Sequence, residues 1–461
     1  MTPADLGAWS KVGIIDASHF DAATAYAAID RHRLDDRRPY IYRTHDGGKT
    51  WQLIVAGIRD GDFVNAVRED PVRKGLLYAA TELGMYVSFD DGDHWQTLQA
   101  NLPRTSVRDI DVHGTDLVIA THGRGFWIMD DIAPLRQLDK KPLAATRLFT
   151  PSTAIRTRIA PFTGTPLQKD EPLASNPPTG VAIDYALAQT AKKVELAIFD
   201  AQGKLVRRYA STDAGPNLDP VKTAYAPEWI APAPKLGTTR GMHRFVWSLR
   251  YPNPSALADN DTDTEGVWAV PGTYEVELGV DGKHSRVSLT LAPDPRVRAS
   301  DADYAQQFAY ARDVEAAEVR LAVAQGEAKT LHKALLAERV ASAANADLVA
   351  AIEALDADVV AQSGIVDAGN PHNAWALPST STTSLRFVGE TIGKLATAAA
   401  SADAAPTPDA RRGYEVAMPM LDKALAAWAQ LKATRLAALN AQLKVAGRKA
   451  VSVEAPVEKK H

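Results

Sequence analysis

The sequence predicts a multidomain protein of β and α structure: a partial β-propeller of about three blades, an immunoglobulin-like β-sandwich, and a C-terminal antiparallel α-helical hairpin or bundle. Three observations predict this class. A turn motif recurs in the first third of the 461-residue chain, alternating strands follow, and from Ser300 the apolar period lengthens to about 3.6 residues. The predicted segments are 1–140 (propeller), 141–180 (linker or connection), 181–295 (immunoglobulin- or fibronectin-like sandwich), 296–450 (helical domain) and 451–461 (flexible tail).

The turn motif predicts the propeller. Residues 44–51 read THDGGKTW and residues 88–95 read SFDDGDHW, an offset of 88 − 44 = 44 residues, about the length of one four-stranded blade. In each copy the Asp carboxylate can accept backbone N–H groups, Gly supplies a positive φ, and Trp can bury its ring between blades. These residues are therefore predicted to be structural and not catalytic: Thr44, Asp46, Gly48, Trp51, Ser88, Asp90, Gly92 and Trp95.

Apolar runs at 24–28 and 76–80 predict an earlier strand in each of these two blades. A third, degenerate unit keeps its strands at 107–112, 116–120 and 125–129 but lacks the Asp turn. The pattern starts near Trp9 and ends near Leu138.

Three further segments carry a family resemblance: ASHFD at 17–21, DRHRLDD at 30–36 and THGRGFW at 121–127. With the Asp turns, they resemble the bacterial BNR or Asp-box "glycosyl hydrolase" family, over nearly the whole chain. That family is similar to the propellers of sortilin-type receptors and, more distantly, to those of sialidases and xyloglucanases. The resemblance implies a periplasmic or secreted protein.

The family is much longer and has its extra blades N-terminal to this pattern. We therefore expect the chain to be the C-terminal part of a larger protein, with residues 9–138 forming an open arc. An arc would expose inter-blade surface and strand edges, which favours self-association or pairing with an upstream propeller fragment.

The β-region and the helical region have their own signals. Asp281-Gly282 between alternating strands predicts a type I′ hairpin, and a turn is predicted at 200–204. Ser300 with Asp303 predicts a capping box, and Thr407-Pro408 predicts the start of the last long helix, which Pro419 would kink. An irregular loop is predicted at 364–384. The apolar stripes on these helices favour an internal core over a coiled-coil partner surface.

Composition limits the classes of partner. The net charge of −4 and the isoelectric point of about 6.3 do not favour nucleic acid or anionic membrane. No apolar run approaches the roughly 20 residues of a membrane-spanning helix, and the first residues lack signal-peptide features. Because cysteine is absent and neither metal-ligand nor phosphate-loop motifs occur, no metal site and no cofactor are predicted.

The charged segment 30–38 is the densest polar group in the predicted propeller. It combines carboxylates for acid–base chemistry with guanidinium groups able to bind carboxylate or phosphate, although the sequence favours a surface loop whose opposite charges neutralise one another. The pairs His19–Asp21 and His122–Arg124 flank one funnel if equivalent loops converge, or else form structural hydrogen bonds. The weak catalytic candidates are Asp30, Asp35, Asp36 and Glu82, and the binding candidates are His19, Arg31, His32, Arg33, His122 and Arg124.

Two functions remain open. The first is a binding or interaction module of the bacterial envelope that grips peptide or glycan. The alternative is a glycoside hydrolase that acts on a polysaccharide through two funnel carboxylates, which would have to lie about 5–5.5 Å or about 6.5–9.5 Å apart.

Overall fold

A computed structural model describes residues 2–3, 5–139, 145–158, 179–213, 235–257, 265–365 and 381–453. The chain divides into two compact units. Unit 1 comprises residues 1–213, 234–248 and 273–290, and unit 2 comprises residues 214–233, 249–272 and 291–461. Antiparallel sheets and C-terminal helices agree with the predicted mixture of β and α structure.

Three antiparallel sheets follow one another in the first part of unit 1. In each, strands that are neighbours in sequence are neighbours in the sheet. Sheet I contains β1 (Lys11–Ala17), β2 (Ala25–Asp30), β3 (Ile41–Thr44) and β4 (Gln52–Leu53); sheet II contains β5 (Val64–Glu69), β6 (Leu77–Thr81), β7 (Met85–Ser88) and β8 (Gln96–Thr97); sheet III contains β9 (Ser106–His113), β10 (Asp116–His122) and β11 (Phe126–Met129).

Sheet II lies between the other two. One apolar layer joins sheets I and II and includes Tyr26 and Val67, and a second joins sheets II and III and includes Tyr78 and Ile110. Because alternate residues of a strand point to opposite faces, sheet II contributes to both layers.

The first strand of each sheet contains a β-bulge at the same level. The extra residue is Gly13 in β1, Asn65 in β5 and Arg108 in β9. A bulge inserts one residue into the ladder and re-aims its side chain. The three sheets are therefore equivalent in register as well as in strand order.

The three first strands also run in the same direction. The Asn65 amide donates to the Val107 carbonyl, and the Arg68 guanidinium donates to the Ile110 carbonyl, so β5 and β9 advance together. Asp16 accepts the Glu69 backbone N–H in the same way between β1 and β5. Equivalent connections of the three sheets therefore lie at the same end. The end that holds the connections between second and third strands is called the bulge end. The opposite end, which holds the connections between first and second strands and between third and fourth strands, is called the Asp-turn end.

Sheet III leads through a turn into helix α1 (Ala133–Gln137). Asp131 has a φ of 52°, and its carboxylate accepts the Ala133 backbone N–H. The Arg244 guanidinium donates to the carbonyls of Asp130 and Asp131 while pairing with the Asp184 carboxylate. Both aspartates therefore turn the chain and anchor it to the next sheet.

The residues described after α1 form ten further strands: β12 (Arg147–Leu148), β13 (Ala154–Arg156), β14 (Val181–Leu187), β15 (Val194–Asp200), β16 (Leu205–Ala210), β17 (Gly241–Trp247), β18 (Arg250–Pro252), β19 (Glu265–Trp268), β20 (Gly272–Val280) and β21 (Lys283–Pro293). They form sheets of order β12-β14-β17, β13-β21-β20-β15-β16 and β18-β19. The predicted hairpin between β20 and β21 is confirmed, since Asp281 and Gly282 both have positive φ, 48° and 84°.

One part of the predicted linker differs from expectation. Within 141–180, β12 pairs with β14 and β13 pairs with β21, because Leu148 and Arg156 are buried against those sheets. The Pro-rich part of that linker, 161–178, lies outside the described residues, as does most of the loop predicted at 364–384.

Unit 2 is mainly helical. Its helices are α2 (Asp301–Ala341), α3 (Ala346–Ser363), α4 (Leu385–Ser401), α5 (Pro408–Leu431) and α6 (Ala437–Val445), with a π-helical turn at Lys432–Leu436 joining the last two. The predicted capping box of Ser300 and Asp303 is confirmed, and the Thr407 hydroxyl caps α5. α5 continues through Pro419.

The apolar stripes of these helices form the core of the unit, as favoured from the sequence. Val451 belongs to this core, and its backbone N–H and C=O both pair with the Asn440 side-chain amide, so the first residue of the predicted tail is held in place. Among the described residues, none of the helices combines the length and the apolar character needed to cross a membrane.

Candidate functional site

The two Asp turns have the same hydrogen bonds. The Thr44 hydroxyl donates to Asp46 over 2.9 Å, and Asp46 accepts the Thr50 backbone N–H over 2.9 Å. Ser88 and Asp90 repeat these contacts at 3.0 Å and 2.9 Å, the latter from the backbone N–H of His94.

The hydrogen bonds of the Asp turns stabilise the turns themselves. The backbone N–H of Thr50, followed by its hydroxyl, lowers the pKa of Asp46 to about 2, so this carboxylate stays ionised. Gly48 and Gly92 both donate their backbone N–H to the motif hydroxyl. At Gly92, where φ is 89°, a Cβ would lie 2.3 Å from the Ile54 side chain. The second turn therefore requires glycine on both steric and conformational grounds.

The motif tryptophans differ in burial. Trp95 is buried in the layer between sheets I and II, and its Nε1 donates to the Ile54 carbonyl over 2.8 Å. Trp51 is half-buried and packs beside Tyr42 on the other face of sheet I.

A polar cluster around the buried side chain of Arg43 joins sheets I and II at the Asp-turn end. The Arg43 guanidinium contacts the carboxylates of Asp91 and Asp93 at 2.9 Å and 3.0 Å, and the Tyr26 hydroxyl donates to Asp91. His45 Nε2 lies 3.1 Å from Asp91. Burial, followed by Asp91, raises the pKa of Tyr26, so its hydroxyl remains a donor.

The sequence patterns did not predict this cluster. One signal could have revealed it: Asp91 occupies the variable position that Gly47 fills in the first turn, and both have positive φ, 63° and 70°. A residue other than glycine is uncommon at such a position, and aspartate is one of the types enriched there.

The charged segment 30–38 at the bulge end is largely neutralised by its own residues. Asp36 accepts from Arg31, Arg38 and Tyr40 at 3.1, 2.8 and 2.8 Å. The Arg38 guanidinium, helped by Tyr40 and Arg31, holds the pKa of Asp36 well below its ordinary value. Arg31 also donates to the Ser10 hydroxyl over 2.5 Å. These contacts match the neutralised-loop interpretation and leave neither Asp36 nor Arg31 available to a ligand without breaking them.

Asp30 and His32 form a close pair in the same segment. Asp30 is buried, and its Oδ1 lies 2.6 Å from His32 Nδ1 and accepts the His32 backbone N–H. The imidazole stacks on Phe63, with ring centroids 4.8 Å apart. Because Asp30 engages Nδ1, it fixes the ring orientation and directs Nε2 away from this contact.

Glu82 lies on the neighbouring sheet at the same end. Its backbone N–H donates to the Phe63 carbonyl, so it is linked to the residue on which His32 stacks. Its carboxylate accepts the Ser106 hydroxyl over 2.7 Å and lies 3.5 Å from Arg108. Arg108, the bulge residue of β9, also reaches Asn65, the bulge residue of β5. We call these residues the bulge row: Asp30, His32, Phe63, Asn65, Glu82, Ser106 and Arg108.

The remaining sequence candidates divide between the two ends. His122 ends β10 and Arg124 follows it, so both lie at the bulge end. His19 and Asp21 lie in the connection between β1 and β2, at the Asp-turn end. Because a meander places alternate connections at opposite ends, these two pairs do not flank one funnel. Arg33 and Asp35 are exposed in the connection between β2 and β3, beyond the bulge row.

The bulge end also exposes an excess of positive charge. The described connections at this end (31–40, 54–63, 82–84, 98–105 and 123–125) expose six arginines and two aspartates. The arginines, which we call the arginine rim, are Arg33, Arg37, Arg38, Arg59, Arg104 and Arg124, and the aspartates are Asp35 and Asp60.

Such an arrangement can bind carboxylate groups through guanidinium pairs and polar hydroxyls through the bulge row. Within the described part of the chain, no group of three or more His, Cys, Asp or Glu residues is arranged to hold a metal ion.

The chain resembles solved propeller-type structures only coarsely. YCF48 bound to D1 peptide is 12% identical over 43% of this chain and 54% of that chain, with a TM-score of 0.19. A GH74 xyloglucanase from Xanthomonas campestris is 14% identical over 60% of this chain and 38% of that chain, with a TM-score of 0.22. The GH74 enzyme of Niastella koreensis is 12% identical over 60% of this chain and 38% of that chain, with a TM-score of 0.23.

The chain thus spans little more than half of YCF48 and under two fifths of each GH74 enzyme. At these identities and TM-scores the resemblance is coarse. No family model and no curated protein matches the sequence.

Proposed function

We propose that this chain is a binding or interaction module whose bulge end binds a peptide or glycan that carries carboxylates. Sheets I, II and III are its three blades, of the BNR-repeat, sortilin-like kind, and two of them carry an Asp-box turn. The sheets built from β12 to β17 with β20 and β21 form an immunoglobulin-like support. The module works in the bacterial envelope, in the periplasm or outside the cell.

The single observation that carries the proposal is the charge of the bulge end. Six exposed arginines lie there against two exposed aspartates, and five arginines remain after Arg38 is set against Asp36, with which it pairs. Asp30 at the same end is engaged by His32. Guanidinium groups bind carboxylates bidentately, and an excess of one charge on a surface steers ligands of the opposite charge. The bulge row adds amide, carboxylate and imidazole groups that can hydrogen-bond an uncharged part of the ligand.

The test is binding of the full chain to arrays of acidic and neutral peptides and glycans, followed by titration of the best ligand. Arg33→Ala with Arg124→Ala removes two exposed guanidinium groups on sheets I and III. We expect about tenfold weaker binding, since exposed ion pairs contribute about 0–1 kcal/mol each. Raising the salt concentration should weaken the wild-type complex as well.

The matched control is Lys49→Ala with Lys74→Ala, which removes two exposed cations at the Asp-turn end. Equal loss of affinity in the control would mean that net charge, and not the bulge end, determines binding. Absence of any ligand on either array would reject the proposal. Arg31 is unsuitable for this test because its guanidinium already holds Asp36 and Ser10.

Glycoside hydrolysis is the alternative function, and a separate turnover assay tests it. Glu82, half-buried beside Ser106 and Arg108, is the carboxylate that best suits it. Turnover of a polysaccharide or aryl glycoside that is lost in Glu82→Gln and retained in Asp35→Asn would favour the enzyme over the binding module.

A further inference from the structure

Residues buried between the sheets have exposed equivalents on sheet I. Val64 and Val67 of β5, and Val107 and Ile110 of β9, are at most 1% exposed because each pair packs against the preceding sheet. The bulges align them with Val12 and Ile15 of β1. These two side chains are 50% and 62% exposed.

The opposite face of sheet III shows the same contrast. Met85 and Val87 of β7 are 0% and 2% exposed because they face sheet III. β11 pairs with the second strand of its sheet as β7 does, and this pairing makes Phe126 and Ile128 the equivalents of Met85 and Val87. Phe126 and Ile128 are 80% and 58% exposed. Val118 and Ala120 of β10 lie beside them on this face. We call the four residues with Asp111, which pairs with Val118, the sheet III outer face.

An exposed apolar face of this kind is typical of an interaction surface. Sheets I and II show what covers such a face, since each packs its equivalent face against the sheet that follows. The occupant that fits is therefore another antiparallel sheet, packed in the same register. A second copy of this chain could offer the exposed face of its sheet I.

Charge decides between a second copy and a different sheet. Asp16, Arg68 and Asp111 hold equivalent positions, opposite Tyr26, Tyr78 and Val118. Each of the first two reaches the following sheet: Asp16 contacts Arg68 at 3.6 Å and the Glu69 backbone N–H, and Arg68 contacts Asp109 at 3.0 Å. Asp16 pairs with Arg68 between sheets I and II, and Arg68 pairs with Asp109, two residues before Asp111, between sheets II and III, so the charges alternate from sheet to sheet.

Asp111 would break this alternation if a second copy docked. By the register of sheets I and II, it would meet Asp16 of that copy, and two carboxylates that meet in a sheet interface repel each other. A sheet with a lysine or arginine at this level would form the pair that Arg68 forms with Asp16.

We propose that the sheet III outer face is a docking surface for a sheet of another polypeptide, of the same four-stranded kind, with a cation on its first strand at the level of Arg68. The apolar side chains Phe126 and Ile128 supply the contact area, and Asp111 supplies selectivity against self-association.

The test uses the full chain and reverses the charge that blocks self-docking. Wild type should sediment as a monomer in analytical ultracentrifugation at micromolar concentration. Asp111→Arg should associate, with an apparent dissociation constant at least tenfold lower than that of wild type, because the new cation meets Asp16 of the next copy. Adding Phe126→Asp or Ile15→Asp to Asp111→Arg should abolish association, since each places a charge in one of the two apolar faces.

Asp313→Arg, an equal change of charge on exposed α2, is the control and should leave the chain monomeric. Circular dichroism melting of each variant verifies that it is folded. The proposal is overturned if folded Asp111→Arg stays monomeric. It is overturned equally if wild type self-associates through Phe126 and Ile15, because the occupant would then be a second copy.

Discussion

Arg43 illustrates how one side chain can join two sheets. Its guanidinium is buried, yet it contacts two carboxylates and the Gln52 side-chain amide oxygen. Burial removes the water that would otherwise solvate the charge, so the ionic partners become essential. Asp91 is shared with Tyr26, which couples β2 and β3 of sheet I to the second Asp turn.

We expect Arg43→Met to lower the free energy of unfolding of unit 1 by about 2 kcal/mol, since hydrogen bonds to charged groups contribute about 1.5–3 kcal/mol and the two carboxylates, 30% and 52% exposed, keep part of their hydration. Urea unfolding followed by tryptophan fluorescence measures this, because Trp95 lies in the same layer. The control is Arg38→Met, whose side chain is 67% exposed and whose ion pair should contribute about 0–1 kcal/mol. Similar losses in the two variants would contradict the argument.

The sequence predicts contacts between side chains and nearby backbone, but it does not predict contacts between residues that are far apart in the chain. Asp46 and Asp90 bond within four residues of themselves, so the motif alone predicts their role. Arg43 and Asp91 are 48 residues apart, and their contact depends on how sheets I and II pack. Likewise, the pairing of Asp36 with Arg31 and Arg38 was anticipated as one of two interpretations, since the residues adjoin.

Among the elements, α2 combines a long apolar stripe with one buried and one partly buried acid. Glu315 and Glu318 lie one turn apart on this helix. Burial, followed by the charge of the nearby Glu315, raises the pKa of Glu318 from 4.5 to about 7. In the folded chain Glu318 therefore holds a proton at pH values where the unfolded chain has lost it.

Stability should consequently depend on pH through this residue. The contribution of Glu318 is complete below pH 4.5 and is lost as the pH rises towards and beyond 7, because folding then requires a buried charge. We expect Glu318→Gln to stabilise unit 2 at pH 8 relative to wild type by about 1 kcal/mol, after allowance for screening of a partly exposed group, and to have little effect at pH 4.5.

Urea unfolding followed by circular dichroism at 222 nm at the two pH values measures the difference. Glu415→Gln, on the exposed side of α5, is the control. Parallel pH profiles for Glu318→Gln and wild type would show that Glu318 does not titrate as inferred.

Elements with a clear period could be predicted, and those without one could not. The stripe of Leu348, Ile352 and Leu355 repeats at helical spacing, and all three are buried in the core of unit 2. β12 has two residues and β13 three, too few for a period, so they were assigned to a linker. Their place in a sheet is determined by partners far along the chain.

For the whole molecule, the candidate site depends on strand order more than on motif. The sequence left two interpretations for His19 and His122: they flank one funnel, if equivalent loops of neighbouring blades converge, or they form structural hydrogen bonds. The meander separates them, since one follows a first strand and the other a second strand. It also brings His32 and Glu82 to the same end, which spacing in sequence could not reveal.

The complete burial of β6 has a consequence for the dynamics of unit 1. All five of its residues are fully buried, and it is hydrogen-bonded on both edges within sheet II. Its amide protons should exchange with deuterium only when the unit opens as a whole, whereas β1 and β11 are edge strands with one exposed face and should exchange through local fraying. Mass spectrometry of labelled peptides would resolve this order, and equal rates in β6 and β11 would contradict it. Protection of the amides from exchange would then decrease from sheet II outwards to sheets I and III. A polypeptide bound to sheet III would therefore first slow exchange in β11.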